Sequence, residues 1–260
     1  MTRRFLVEAG FSRLLLIVAL LACAAPALAQ RAPGRGPANL PSDVLSQACA
    51  PALAFEVPPA PLRVTGSQEA IVRLTMAPGD LITINAGSDN GIEVGQRYFA
   101  RRPIPLARGE AGRDNPLILH TAGWIRIYAV DDRMSLATIE HACDAVQLDD
   151  YLEPFTLPTV PSALPGRPPA QRSNYGRVLS GTDNRATFGK GEYVMVDRGS
   201  DHGVALGAQF VVYRDKLEAD NFLFELADAV AVDVRPETAT LRVTRAIDGV
   251  TVGDYVALRK

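Results

Sequence analysis

Apolar residues alternate with polar ones over many short stretches of the chain. Ile82 and Ile84 alternate with Leu81, Thr83 and Asn85, and Leu241 and Val243 alternate with Thr240, Arg242 and Thr244. Successive side chains of a strand point to opposite faces, so a period of two predicts half-buried strands rather than amphipathic helices. The Asp-Asn-Gly and Asp-His-Gly tripeptides at 89–91 and 201–203 sit between such runs. Gly supplies the positive φ that a tight turn needs, and Asp can bond its own backbone two residues on.

The pattern occurs twice. Gly87-Ser88-Asp89-Asn90-Gly91-Ile92-Glu93-Val94-Gly95 returns as Gly199-Ser200-Asp201-His202-Gly203-Val204-Ala205-Leu206-Gly207, with five of nine positions identical. Leu81 to Ile84 lie over Tyr193 to Val196, and Tyr98 and Arg102 lie over Phe210 and Arg214. Further on, Ile127 to Tyr151 lie over Ala231 to Tyr255, so Asp150-Tyr151 meets Asp254-Tyr255. The first offset is 112 residues and the second 104, which places an eight-residue insertion around Pro103 to Pro116 of the first copy. Self-similarity of this kind marks a repeated structural unit. Each copy is expected to wrap five or six short strands into a small barrel.

The division that follows is a leader at 1–29, a Pro/Ala-rich segment with Cys49 at 30–63, a first barrel at 64–155, a Pro-rich linker at 156–175 and a second barrel at 176–260. The expected fold class is mostly β, two tandem small β-barrel domains related by an internal repeat. The linker carries Pro158, Pro161, Pro165, Pro168 and Pro169 and few charges, a semi-stiff composition.

An apolar run, the Gly-Ser-Asp-x-Gly turn, an aromatic strand ending in Arg and a later strand pair closing on Asp-Tyr together resemble a known unit. It is the small β-barrel domain at the C-terminus of the flagellar assembly protein T family, similar to units of exported bacterial envelope proteins that in some cases carry a LysM module. The resemblance spans residues 64–155 and 176–260. It implies an envelope location and a scaffold or binding role. The sequence has no LysM-like segment and none of the flagellar N-terminal domains, so glycan binding and ring assembly do not carry over by residue.

The N-terminus reads as an export signal. Arg3, Arg4 and Arg13 precede the apolar run Leu14 to Ala22, and Pro26 with Ala27-Leu28-Ala29 form a small-x-small cleavage site before Gln30. Leu20-Leu21-Ala22-Cys23 also resembles a lipobox, in which Cys23 would be acylated and hold the protein to a membrane. The Pro26 break and the Ala27-Leu28-Ala29 site favour soluble export to the periplasm or outer envelope of a bacterium.

Composition narrows the function. The formal charge is −2, and removing the leader with its three Arg and one Glu takes it to −4, so the basic surplus of a nucleic-acid binder is missing. Cys49 and Cys143 remain in both cleavage readings, and in an oxidising compartment they are expected to bond to each other. The bond closes a loop of about 95 residues, which chain-entropy arguments value at about 4 to 5 kcal/mol. It is expected to tie the N-terminal segment to the first barrel. A redox or metal pair is disfavoured, because there is no Cys-x-x-Cys and no His-Cys set beyond His141.

Catalysis finds little support. His120, His141 and His202 show no ligand spacing, there is no Gly-x-Ser-x-Gly elbow, and Gly199-Ser200-Asp201 repeats as Gly87-Ser88-Asp89, as a turn motif would. Asp89-Asn90 and Asp201-His202 lack the alternating acidic series and closing Glu of a calcium loop. The structural turns are assigned to Gly87, Asp89, Gly91, Gly95, Gly199, Asp201, Gly203 and Gly207, and no metal or cofactor is expected. Trp124 on a strand is a core residue by default, or with Tyr128 or Tyr98 an exposed platform for a glycan or protein. Arg101 and Arg102, with Arg108 and Arg113, form a basic group around the insertion, interrupted by Glu110 and Asp114; a solvated loop is the default reading, and a recognition site special to the first copy is the sharper one.

The expected function is a non-catalytic envelope scaffold or adaptor with an envelope protein as partner. A cell-wall glycan binder using Trp124 is the alternative, with peptidoglycan as the partner, and an envelope hydrolase the third reading.

Overall fold

The computed structural model describes residues 40–55, 62–69, 73–106, 116–161, 169–170, 173–215 and 222–259. The expected leader with Cys23, Arg108 and Arg113 of the insertion, and 162–168 of the linker lie outside them. One helix, α1 (Ser42–Ala48), opens the described chain. It is followed by β1 (Ala52–Ala54), β2 (Val64–Ser67), β3 (Thr75–Met76), β4 (Leu81–Ile84), β5 (Arg97–Pro105), β6 (Leu117–Val130), β7 (Ser135–Ala142), β8 (Val146–Gln147) and β9 (Tyr151–Pro154). Then come β10 (Gly176–Gly181), β11 (Thr187–Phe188), β12 (Tyr193–Val196), β13 (Gln209–Asp215), β14 (Leu223–Val234), β15 (Ala239–Ala246), β16 (Val250–Thr251) and β17 (Tyr255–Leu258). The protein is mostly β, and no helix among the described residues is long and apolar enough to cross a membrane.

In the first sheet the strand order is β2-β4-β7-β6-β5-β9, with β1 added to β6 outside that path. The end strands meet at the bridge between Arg63 and Tyr151, where the Val64 N–H donates to Asp150 O at 3.0 Å. In the second half, β10-β12-β15-β14-β13-β17 form a closed barrel. Adding eight to each strand number of the first path gives the second, and the small pairs β3·β8 and β11·β16 correspond in the same way.

The correspondence extends to the irregularities. Bulges leave Ala122, Tyr128 and Glu140 unpaired in the first sheet and Leu226, Val232 and Thr244 in the barrel, each displaced by 104 residues, as 122 to 226. A bulge bends its strand and sharpens its twist, so matched bulges bend the two sheets at corresponding places. One apolar cluster fills the first sheet around Val64, Ile82, Ile125 and Ile139, and another fills the barrel around Val178, Phe188, Phe210 and Leu241.

The glycine motif joins β4 to β5, strands that are not neighbours, by a single 3-10 turn across the sheet end. Gly87 has an ordinary φ of −136°, and its role is close approach. A Cβ there would lie 2.0 Å from Asp131 O, and one on Gly199 would lie 2.1 Å from Arg235 O. The Ser88 and Asp89 N–H groups donate to Asp131 O and Asp132 O, as those of Ser200 and Asp201 do to Arg235 O and Pro236 O. Gly91, at φ 75°, and Gly203, at φ 79°, end these turns in the left-handed region, and Gly95 and Gly207 also have positive φ.

Candidate functional site

Residues 40–55 of the Pro/Ala-rich segment touch both β units. Pro41 opens α1, and Leu45, Ala48 and Cys49, three and four positions apart, lie on one face of it. That face packs on Phe99, Trp124 and Phe155 of the first sheet. The Cys49 N–H bonds Leu45 O, and Pro51, which has no N–H and resists helical continuation, turns the chain into β1. There Ala52, Leu53 and Ala54 pair with Leu119, Ile118 and Leu117 of β6.

The other side of this strap faces the closed barrel. Thr238 and Thr240 of the β15 region donate their hydroxyls to Leu53 O at 3.1 Å and Pro51 O at 2.7 Å. Gln47 Nε2 donates to Val232 O of β14 and to Thr159 O of the linker, and Ser46 Oγ bonds the Tyr193 hydroxyl of β12. Leu53 packs between Ile118 of the first sheet and Met195 of the barrel, and Ala50 packs on Tyr193 and Val232. Burial pushes the Tyr193 hydroxyl above its ordinary pKa, against the opposing pull of its bond to Ser46. Burial of the strap's polar backbone is tolerated because its carbonyls find these donors.

Cys49 and Cys143 are bonded, with a sequence separation of 94 and Cα atoms 5.6 Å apart. The sulfurs lie against Ala48, Phe99 and Trp124. The disulfide fixes the strap to the first sheet, and the threonine bonds extend the tie to the barrel.

Arg101 and Arg102, read in the sequence as part of a basic group around the insertion, lie on β5 and are engaged within the fold. Arg101 bonds Glu153 and Thr121, and its guanidinium stands 4.8 Å over the Phe99 ring. Arg102 grips Asp150 through Nε and Nη2 at 2.8 and 2.9 Å, and Nη2 also reaches Ala145 O. Arg214 grips Asp254 at 2.9 and 2.7 Å and reaches Gly249 O. Each carboxylate also accepts one backbone N–H, from Gln147 or Thr251. Two-pronged contact of this kind is the strong form of an ion pair. Burial pushes the Asp150 carboxyl up from its ordinary value, against the pull of Arg102 and the Gln147 N–H. Arg214 is held above its ordinary value by Asp254.

Trp124 is 1% exposed, T-stacked on Phe99 and flat against His141 with centroids 4.3 Å apart. This is the core placement read by default and not the exposed platform: the strap and Phe155 cover the indole. Tyr98 points into the core of the first sheet, and Tyr128, 60% exposed, stands on a bulge, so the three rings form no common surface. His120 bonds Asp144, and His202 Nδ1 accepts the Gly199 N–H; neither lies beside His141 in a ligand set among the described residues.

A cleft of about 410 Å³ opens between strap, linker and barrel, walled by Gln47, Ala48, Phe99, Arg101, Leu206 and Val232. Asp233 also lines it; its arginine is engaged by Glu153 and this carboxylate by Arg235.

Sequence reasoning missed that the strap reaches the barrel. A signal was present: Leu-Ile-Thr-Ile at 81–84 alternates, while Tyr-Val-Met-Val at 193–196 is apolar throughout, as a strand covered on both faces should be. No known protein family and no curated protein matches this sequence.

Proposed function

We propose that the chain is a tandem of two small barrels built from one repeated unit, exported to the bacterial envelope, where it acts without catalysis as a scaffold or adaptor. The repeat reading is supported by the matched strand paths, the bulges at equal offsets and the paired Arg-Asp grips. The bonded cysteines fit an oxidising compartment. The resemblance to the flagellar assembly protein T barrels points to the same location.

The observation that carries the scaffold reading is the strap. One segment pairs with β6, bonds Thr238 and Thr240, and is fixed by a disulfide, so the two units present their outer surfaces at a set spacing. Fixed spacing lets two weak contacts to one partner act together.

Two measurements test this. N-terminal sequencing of the mature protein should begin at Gln30; a chain that keeps Met1 would overturn export. Photo-crosslinkers at the exposed positions Tyr128 and Met134 of the first sheet and Val252 of the barrel should capture one shared envelope protein in intact cells. Capture of nothing from any of them, with the purified protein failing to associate with envelope fractions, would sink the scaffold.

A further inference from the structure

Next to the disulfide stands a third side chain of metal-ligating chemistry. The sulfurs of Cys49 and Cys143 and a ring nitrogen of His141 all lie within 4.8 Å of one another. His141 and Cys143 are two apart at the end of β7, so they share one face of the chain there. Cys49 is brought to them by the last turn of α1.

Each ligand is held by something other than the sulfur-sulfur bond. The Cys49 N–H bonds Leu45 O, and the Cys143 N–H bonds Ala122 O at 2.9 Å. The His141 ring lies flat against Trp124, and among the described residues it takes no hydrogen bond. The pairing of the strap with β6 and its threonine bonds are made by residues other than the two cysteines. Opening the disulfide therefore leaves two thiols and an imidazole in place, beside a wall of Ala48, Trp124 and Phe99.

We propose that the reduced form of this protein binds one copper(I) ion through Cys49, Cys143 and His141. Two thiolates and an imidazole are a soft donor set of three; thiolates select copper(I) and zinc alike, and copper(I) is the one of these that is content with three ligands, where zinc takes a fourth from water. A dithiol reductant supplies the two electrons and two protons that convert the disulfide to two thiols, and is itself oxidised to a disulfide. On binding, the two thiols release their protons and the sulfurs and the imidazole nitrogen take the metal. The oxidised form has no thiolate to offer, so capture of the metal is gated by the redox state of the strap.

The test uses the full chain carrying Cys23→Ser, which removes the remaining cysteine. Protein reduced anaerobically with excess dithiol, then freed of it, is titrated with copper(I) held by a coloured chelator. The expected result is withdrawal of one equivalent by the reduced form and none by the oxidised form. His141→Gln, shown by circular dichroism to keep its fold, should bind at least about tenfold more weakly. X-ray absorption of the copper-loaded parent should show two sulfur neighbours and one nitrogen, a readout that needs no further variant. No withdrawal by the reduced form, equal affinity in His141→Gln, or a sulfur-only shell would each overturn the proposal.

Discussion

In the closed barrel the bulged Val232 is 6% exposed beneath the strap, while at the matching place in the first sheet the bulged Tyr128 is 60% exposed. The neighbouring pair behaves alike: Thr238 is buried and bonded to the strap, and Met134, its counterpart, is 51% exposed. Strand order and bulges are the same in both, so neither decides which face is covered. The decision lies in the few side chains that can meet a strand from outside. In the first sheet it lies also in the arm of β5 and β6 beyond Arg102, where Leu117, Ile118 and Leu119 receive β1. The described flanks of the predicted insertion thus seat the strap.

The largest test of this asymmetry is the disulfide, which ties the strap to the first sheet alone. Cys49→Ser with Cys143→Ser should lower stability by about 4 kcal/mol, from the entropy regained by the unfolded chain. Thermal unfolding of variant and parent, each with and without reductant, measures it; parent and variant converging in reductant is expected, and no difference without reductant would refute it.

Next come the two grips that the units share. Arg102→Met and Arg214→Met each leave a buried carboxylate without its cation and should cost about 3 kcal/mol near neutral pH. For Arg102→Met the cost should shrink on acidification. With the guanidinium gone, the Asp150 carboxyl is raised further, so the folded state takes up a proton at a pH where the unfolded state does not, and stability rises as pH falls through that range. Urea titrations at neutral and mildly acid pH measure this, and a cost that grew with acid would contradict the assignment.

How much of this was legible in the sequence depends on whether the controlling contact is local. The glycine turns, the strands and the matching of Asp150 with Asp254 follow from spacing and period, because turn geometry and alternation are set within a few residues. The disulfide followed from cysteine count and compartment. The partners of Arg101 and Arg102 lie on β9 and beside it, about 50 residues away in the chain, and nothing nearby announces them. Trp124 was readable as a core residue, but its cover, Leu45, Ala48 and Phe155, was not. The strap's reach to the barrel was readable only from the lost alternation in β12 and from threonines at 238 and 240, where exposed polar residues would look the same.

The glycine motif should respond equally in both units, which makes it the control for the asymmetric sites. Gly87→Ala and Gly199→Ala each force a methyl against backbone oxygens and should cost about 2 kcal/mol. Gly91→Ala and Gly203→Ala meet open space but must keep a left-handed φ, at about 1 kcal/mol. Equal losses within each pair, read from denaturant midpoints, would match the twin geometry; a large loss in one unit alone would break it.

The smallest effects should be the most discriminating. Thr238→Val and Thr240→Val each remove one hydroxyl bond to the strap, leaving the Leu53 or Pro51 carbonyl buried without that donor, at about 1 kcal/mol each. The matching change in the first sheet, Met134→Val, touches an exposed side chain and should stay within about 0.5 kcal/mol. Hydrogen exchange separates the two kinds of loss. In the threonine variants the amides of 45–54 should exchange faster, because the strap has lost its anchor to the barrel while β6 still holds its other edge. In Met134→Val those amides should keep the parent's protection. Equal exchange in all three variants would mean that the threonines do not hold the strap, and that β1 stays in place through β6 and the disulfide alone.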